Sequence, residues 1–410
     1  MSNSVAKSSK LGPPSRNHVS RSEQDACRVL RVLRRQELRS WQQLESIVGL
    51  SPQRLASSVA FLERQGLLRS RKNGASPLAQ KRLPEINSTY GHVVAVDIGG
   101  SNLRVGLADL TGSVLAKWAA TTKATSSPEG VVAQIRKGIG ELLQQTRVPR
   151  SSLLAVAAGA PGVTNHSEGI VFATSYLKGW RNVPLAGLLQ KELGVPAFVE
   201  NDVRLAAIGE RWTGAARGIA DFVFLAIGTG IAAGIFVNGQ LVRGSEWVAG
   251  EVGYMIVPGT PEHPANPSEP GSLESVIGGE GIRHQWLTSS GPKPSGNGRD
   301  LTATGIFYHA LAGNQQAREV LDRTAHILAC TIHNLSSVLN PSLFVLGGGV
   351  GMNGPLIAAT ERILEPYTQP SHPKLIASEL GQDAQLLGAV RLALDAAESS
   401  IDRTLTKSTI

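Results

Sequence analysis

Two stretches of this sequence carry the same order of strand, glycine turn, strand, turn and strand, and any fold for the chain has to accommodate both. In the first, His92-Val93-Val94-Ala95-Val96-Asp97 is an apolar, β-branched run ending in Ile98-Gly99-Gly100-Ser101; Leu103 to Ala108 then resumes a strand before a turn at Asp109-Leu110-Thr111-Gly112. In the second, Phe222 to Ile227 runs into Gly228-Thr229-Gly230, followed by Ile231 to Val237, an Asn238-Gly239 turn and a further strand through Arg243. Glycines between antiparallel strands expose backbone N–H groups and let an oxygen-rich ligand approach the main chain. One such turn is usually a plain tight hairpin. A matched pair points to one phosphate tail gripped from two walls.

A third glycine turn, Gly347-Gly348-Gly349, follows the apolar run Leu343 to Leu346. The helix before it carries Leu321, Ala325, Leu328, Ile332, Leu335 and Leu339 at spacings of four and three, a stripe that buries one face against a sheet. Between the two hairpins, Pro196 to Val199 reads as a strand delivering Glu200-Asn201-Asp202 to a turn and a helix. Spacing alone leaves two readings of that triplet. Asn201 and Asp202 either cap the helix, or Asp202 accepts a proton from a substrate hydroxyl that the amide orients. Gly250-Glu251-Val252-Gly253-Tyr254 and Glu274 supply two more polar clusters.

Charge is equally uneven. The net charge is +8, and residues 1–90 hold 16 Lys and Arg against 6 Asp and Glu, whereas residues 91–410 hold 24 against 26. The excess at one end suggests a polyanion contact made by that part alone. Ser22-Glu23-Gln24-Asp25 resembles a helix start, with Cys27, Val29, Leu30 and Leu33 forming an apolar face. Ser40 to Gln43 opens a second helix, and Gly49-Leu50-Ser51 makes a tight turn. Ser51 and Pro52 begin a third, on which Leu55, Val59 and Leu62 turn inward and Gln53, Arg54, Ser57 and Ser58 outward. Leu67 to Arg69 reads as a strand and Arg71-Lys72-Asn73-Gly74 as a hairpin tip. This is the order of a winged helix-turn-helix: Gln53, Arg54, Ser57 and Ser58 would enter a major groove, and Arg69, Arg71 and Lys72 would meet phosphates or the minor groove. The alternative is a helical module for protein contacts.

A chain of 410 residues is long enough for two or three compact units. Its longest uncharged apolar stretch, Phe222 to Val237, is broken by Gly228, Thr229 and Gly230 and falls short of a membrane helix. No apolar block followed by a cleavage site opens the chain, and Cys27 and Cys330 cannot build a disulfide framework. A cytoplasmic, non-membrane protein is expected.

Several of these motifs together resemble the ROK family of repressors, open reading frames and sugar kinases, over roughly residues 22 to 395. The residues that carry the resemblance are Asp97 to Ser101, Ala160-Pro161-Gly162, Glu200-Asn201-Asp202, Gly228-Thr229-Gly230 through Gly250-Glu251-Val252-Gly253, Asn340-Pro341 before Gly347 to Gly349, and Leu386-Leu387-Gly388-Ala389. The resemblance implies an α/β chain: an N-terminal winged helix-turn-helix and then a two-lobed actin/sugar-kinase-like, ribonuclease H-like ROK domain with a sugar and ATP cleft. It implies sugar contacts from Asn201, Asp202, Glu251, Tyr254 and Glu274, with Asp202 as general base in any kinase activity. Asp97, Gly99, Gly100 and Ser101, together with Gly228, Thr229 and Gly230, would hold ATP phosphates and magnesium, and Gly347, Gly348 and Gly349 would lie near the nucleoside.

Tyr254 stands where the family usually has His, and Ala265, Pro267 and Ser272 align with the three cysteines of its zinc segment. No zinc is therefore expected. Ala232 also adds a Cβ where the family commonly has glycine after Gly-Thr-Gly. The expected organisation is an arm over 1–20, the DNA-binding domain over 21–82, a linker over 83–91, the ROK domain over 92–398 and a tail over 399–410. The expected function is a transcriptional regulator, a repressor, that binds double-stranded operator DNA as a homodimer or tetramer and senses a sugar or sugar derivative. An ATP-dependent sugar kinase with an accessory DNA-binding module is the alternative.

Overall fold

A computed structural model describes residues 21–35, 38, 40–69, 83–123, 127–174, 177–262, 270–289, 302–367 and 373–405. The chain divides into two compact units, residues 1–90 with 398–410, and residues 91–397.

Among the described residues, the first unit is built on helices α1 (Arg21–Arg35), α2 (Trp41–Val48) and α3 (Pro52–Arg64). The capping residues act as their chemistry requires: the Ser40 and Ser51 hydroxyls accept from the Gln43 and Arg54 amides, and Gly49 ends α2 at φ 64°. Leu30, Leu44, Leu55, Val59 and Leu62 are buried. The strand expected over Leu67 to Arg69 is a single bridge from Leu68 to Ile86, flanked by Arg69 N–H to Glu85 O at 2.9 Å and Asn87 N–H to Leu67 O at 2.9 Å. Residues 83–90, read as linker from sequence, thus contain the returning partner of that bridge. The expected arm over 1–20 and the tip at Arg71 to Gly74 lie outside the described residues.

The second unit opens with β1 (His92–Ile98), β2 (Asn102–Asp109) and β3 (Val114–Thr121), then α4 (Pro128–Thr146), β4 (Leu153–Ala160), a small sheet of β5 (Val163–Asn165), β6 (Ile170–Ala173) and β7 (Arg181–Val183), α5 (Leu185–Leu193), β8 (Ala197–Asn201) and α6 (Asp202–Thr213). A second half follows: β9 (Phe222–Ile227), β10 (Ile231–Val237), β11 (Gln240–Leu241), α7 (Glu274–Ile277), α8 (Gly279–Thr288), α9 (Ala303–Leu311), α10 (Gln315–Leu339), β12 (Leu343–Gly347), α11 (Gly348–Gly351), α12 (Gly354–Leu364), β13 (Lys374–Ala377) and α13 (Ala384–Leu405). The main sheets are ordered β3-β2-β1-β4-β8 and β11-β10-β9-β12-β13. In both, the first three strands are antiparallel neighbours and the last two join in parallel. The repeated motif therefore builds the same sheet twice. β11 is shorter than expected and ends at Leu241, after a turn with Asn238 at φ 50° and Gly239 at φ 72°.

Each half has its own core. Val94, Val96, Ile98 and Val105 pack with Val131, Ile135 and Ile139 of α4; Val223, Leu225, Ile227 and Phe344 pack with Ala325, Leu328 and Ile332 of α10. The apolar stripe read on α10 is the one that meets the sheet. No helix among the described residues is long and apolar enough to cross a membrane. The tail expected over 399–410 is partly helix: α13 continues to Leu405, with Ile401 and Leu405 buried in the first unit and Arg31 paired to Glu398 at 2.7 Å and Asp402 at 3.0 Å. Leu394, Ala397, Ile401 and Leu405 extend one helical face past the expected boundary.

Helix α6 packs against its neighbours at backbone distance. A Cβ at Gly234 of β10 would stand 2.4 Å from the Ala207 Cβ, and one at Gly388 of α13 would stand 1.8 Å from the Leu205 carbonyl oxygen. Replacing Gly388 by Ala must push the two helices apart, which costs about 1–3 kcal/mol. The same replacement at Gly140, an exposed position inside α4 with nothing within 4 Å of the added carbon, is expected to raise stability by about 0.5–1 kcal/mol. Denaturant unfolding of the two variants, giving shifts of opposite sign, checks this packing.

Candidate functional site

Parallel strands deliver their functional groups at their C-terminal ends, and the first sheet does this three times over. Asp97 is in register with Gly159, Gly159 with Glu200, and Ala160 with Asn201, so the sequence motifs of β1, β4 and β8 share one sheet edge. Asp97 is buried, and Arg104 donates to its Oδ2 from Nε at 2.8 Å and from Nη2 at 2.5 Å. Burial pushes the Asp97 carboxyl up, against the pull of Arg104. The Gly99 to Ser101 turn closes by Gly99 N–H to Asn102 O at 2.9 Å, and Ser101 is exposed.

The choice between cap and ligand contact resolves differently for the two residues after Glu200. Asn201 is the N-cap of α6: its Oδ1 accepts from the Arg204 amide at 3.0 Å, and its Nδ2 donates to the Gly162 carbonyl at 3.1 Å. Asp202, half-buried, accepts from backbone, the Val203 N–H lying 2.9 Å from its Oδ1. Burial raises its pKa to about 7, with the negative charges of Asp97 and Glu251 adding to the effect and backbone N–H groups opposing it. That places a proton acceptor near the middle of the working range for acid–base chemistry.

The other carboxylates lie around it. Glu251 is pushed up first by burial, against Arg204 and with Glu274. Glu274 is pushed up by burial and held by the Ile231 N–H, 2.9 Å from its Oε2. The Tyr254 hydroxyl, on an exposed side chain, is raised by burial and then by Glu251 and Glu274. Asp97, Asp202, Glu251, Glu274 and Tyr254 thus form one chain of electrostatic neighbours. A group of hydrogen-bond acceptors of this kind suits a ligand rich in hydroxyl donors.

On the second sheet, the glycine turns meet at the exits of β9 and β12. Gly348 has φ 78°, and its added Cβ would lie 2.3 Å from the Ile227 carbonyl, so the β12 turn presses on the end of β9. Thr304 Oγ1 donates to the Gly349 carbonyl at 3.2 Å. Two glycines missing from the sequence reading complete this arrangement. Gly279 donates to the Gly228 carbonyl at 2.8 Å, and a Cβ on Gly278 would stand 3.2 Å from the Thr229 carbonyl. The sequence signal for them was a Gly-Gly pair at a helix start, four residues after Glu274. Gly228, Thr229 and Gly230, Gly278 and Gly279, and Gly347 to Gly349 make a wall of main chain with few side chains, open to phosphate or nucleoside oxygens.

In the first unit, Gln53 and Ser57 are exposed on α3 and Arg69 is exposed beyond it. Two expected base readers are placed otherwise. Arg54 donates from Nε and Nη2 to Asp25 of α1 at 2.8 and 2.7 Å, and Ser58 is buried with its hydroxyl on the Arg54 carbonyl at 2.9 Å. A small polar residue can turn inward by bonding the carbonyl four residues back, which a helical wheel does not register. Arg71 and Lys72 lie outside the described residues, as do Ala265 and Pro267. Among the described residues, no three His, Cys, Asp or Glu side chains group to hold a metal ion.

The model of the ROK family matches residues 93–396. The chain is 30% identical over 306 residues to the glucokinase of Halalkalibacterium halodurans, a match covering 72% of this chain and 92% of that protein. It is 22% identical over 396 residues to the xylose repressor of Caldicellulosiruptor bescii, covering 92% of this chain and 97% of the repressor. Among solved structures, a ROK family transcriptional regulator, a homologue of the E. coli MLC protein, superimposes with a TM-score of 0.77 over 94% of this chain and 98% of its own, at 21% identity. A ROK family glucokinase from Streptomyces griseus in complex with glucose and AMPPNP gives 0.63 over 74% of this chain and 100% of its own, at 26% identity. With the matched segment spanning both sheets and their strand-end motifs, this chain belongs to the ROK family.

Proposed function

We propose that the protein is a DNA-binding transcriptional regulator of the repressor type, whose second unit binds a sugar or sugar derivative and thereby alters operator affinity. The observation that carries this reading is the first unit itself: three helices, two of them serine-capped, and a basic excess, 16 Lys and Arg against 6 Asp and Glu over residues 1–90, ahead of a kinase-like body. The repressor match over 92% of the chain has to run through this unit, whereas the glucokinase match over 72% is no longer than the second unit. Exposed Gln53 and Ser57 on α3 are the base-reading candidates, and Arg69 contacts backbone phosphate. As a homo-oligomer the protein presents two such helices to a two-part operator.

Acceptors rather than cations surround the proposed ligand, so hydroxyl groups are read by Asp202, Glu251 and Glu274, with Tyr254 at the rim. A second reading, sugar kinase, is favoured by the raised pKa of Asp202, which suits a general base, and by the glycine wall. In it the glycine turns would hold ATP phosphates and Asp97, whose Arg104 bonds both fall on Oδ2, would face magnesium. The metal would neutralise charge on the transferred group. Asp202 would take the proton of the attacking hydroxyl.

Mobility shift on duplex from the gene's own upstream region tests the main reading. Binding should fall steeply with salt, Gln53→Ala should weaken it about ten-fold on the specific site, and Arg69→Ala should weaken it on all sequences. A sugar titration over a panel of hexoses, pentoses and N-acetylated hexosamines that leaves operator affinity unchanged would sink the sensing role. A coupled ATP assay on the same panel, with turnover abolished in Asp202→Asn, would establish the kinase reading instead.

The same variant has a stability signature. The Asp202 carboxyl keeps its proton to about pH 7 in the folded chain and loses it near 3.8 when unfolded. The folded state therefore binds the extra proton between those values, and the stability linked to this group falls as pH rises through 7. Asp202→Asn should match the parent below about pH 4 and exceed it by on the order of 1–4 kcal/mol above pH 8, measured by urea unfolding.

A further inference from the structure

Glu200 shares the Glu200-Asn201-Asp202 run, yet its carboxylate does not reach the cleft. It is 0% exposed, and a buried carboxylate is costly unless its oxygens are matched by donors. Here they are matched on both sides. Oε1 accepts from the Asn201 amide at 3.0 Å and from Arg204 Nη1 at 3.3 Å; Oε2 accepts from Arg243 Nε at 2.7 Å, with His166 Nδ1 at 3.6 Å. The imidazole is engaged elsewhere, its Nδ1 2.9 Å from the Val199 carbonyl.

Both arginines lead to the segment that ends in Glu251. Arg243 stands at its start. Arg204 reaches into its middle, donating from Nη2 to the Trp247 carbonyl and, at 3.2 Å, to the Ala249 carbonyl. Trp247 sits at φ 63°, a left-handed conformation that a bulky side chain adopts only when its surroundings hold it there. On the opposite side, Gly250 at φ 97° lies so close to β10 that a Cβ would stand 2.0 Å from the Ala233 carbonyl, and the Ala233 N–H donates to the Gly250 carbonyl at 2.7 Å. The segment is thus pinned between β10 and one guanidinium. That guanidinium belongs to the first turn of α6, two residues after Asp202.

We propose that Arg204, anchored on Glu200, is a positioning residue for the ligand site: its fork holds the Trp247 and Ala249 carbonyls and so sets where Glu251 presents its carboxylate relative to Asp202. This rests on reading Glu251 and Asp202 as ligand-binding groups. Lysine keeps the charge but carries its three donors on one nitrogen, so it cannot place one donor nitrogen on the carboxylate and a second on the two carbonyls as the planar fork does. The role therefore belongs to the fork rather than to the charge.

Hydrogen exchange of the full chain, read by mass spectrometry without ligand, tests the clamp in Arg204→Lys and, should that variant not fold, in Glu200→Gln. The amides of residues 245–251 are expected to exchange at least ten-fold faster than in the parent, with β9, the rest of β10 and α6 unchanged and the melting temperature within a few degrees. Parent-like protection of 245–251, or a loss spread evenly over β9, β10 and α6, overturns the proposal, the latter because it marks a general structural ion pair. Calorimetric titration with D-glucose, D-xylose and N-acetyl-D-mannosamine separates this from the sugar reading. Any of these that binds the parent should bind Arg204→Lys and Glu251→Gln at least ten-fold more weakly, and the double variant no worse than the weaker single one; additive losses count against the clamp. If none binds the parent, the sugar reading fails while the exchange data still decide the clamp.

Discussion

Close backbone packing around helix α6 is the constraint on which the second unit depends. The helix starts at the edge of the first sheet, where β8 delivers Asn201 and Asp202, and lies against β10 of the second sheet and against α13. Glycine at 234 and at 388 removes the side-chain carbon at the tightest approaches. Interiors packed at this density transmit displacement rather than absorb it. A helix that carries Asp202 and Arg204 in its first turn therefore keeps them in fixed relation to both sheets.

Electrostatics around that turn follow from which acids have partners. Glu200 is buried among two arginines and an amide, and its cost is met by hydrogen bonds on both oxygens. Asp202 has no such partner among the described residues, stands near Asp97 and Glu251, and is driven up to about 7. Two acids two residues apart are thus used oppositely. One is matched by donors and holds the frame, and the other is the acid that the proposed function assigns to the ligand. Tyr254 joins the same field, its hydroxyl raised by burial and then by Glu251 and Glu274.

Much of this was legible in the chain. The repeated strand–glycine–strand motif, the apolar stripe of α10 and the serine caps of α2 and α3 each depend on local geometry, so spacing alone located them. Misplacements came where a distant partner decided. Arg54 looked outward on a helical wheel, but Asp25 lies within reach on α1. Ser58 turned inward because its hydroxyl could bond its own helix. The C-terminal residues after 398 looked like a tail because the buried face of Ile401 and Leu405 meets partners more than 300 residues earlier, Arg31 marking the place.

The sequence by itself determined the elements and the chemistry at their ends: which strands finish in glycine, which turn carries an acid and an amide, and which end of the chain is basic. Such features arise from neighbours along the chain and from side-chain period. Only the tertiary structure decided that Glu200 is scaffold and Asp202 is the poised acid, that Gly278 and Gly279 complete the glycine wall, and that Arg204 joins helix α6 to the segment of Glu251. Burial and the identity of the donor opposite each carboxylate set those roles, and both are properties of contacts between residues far apart in sequence.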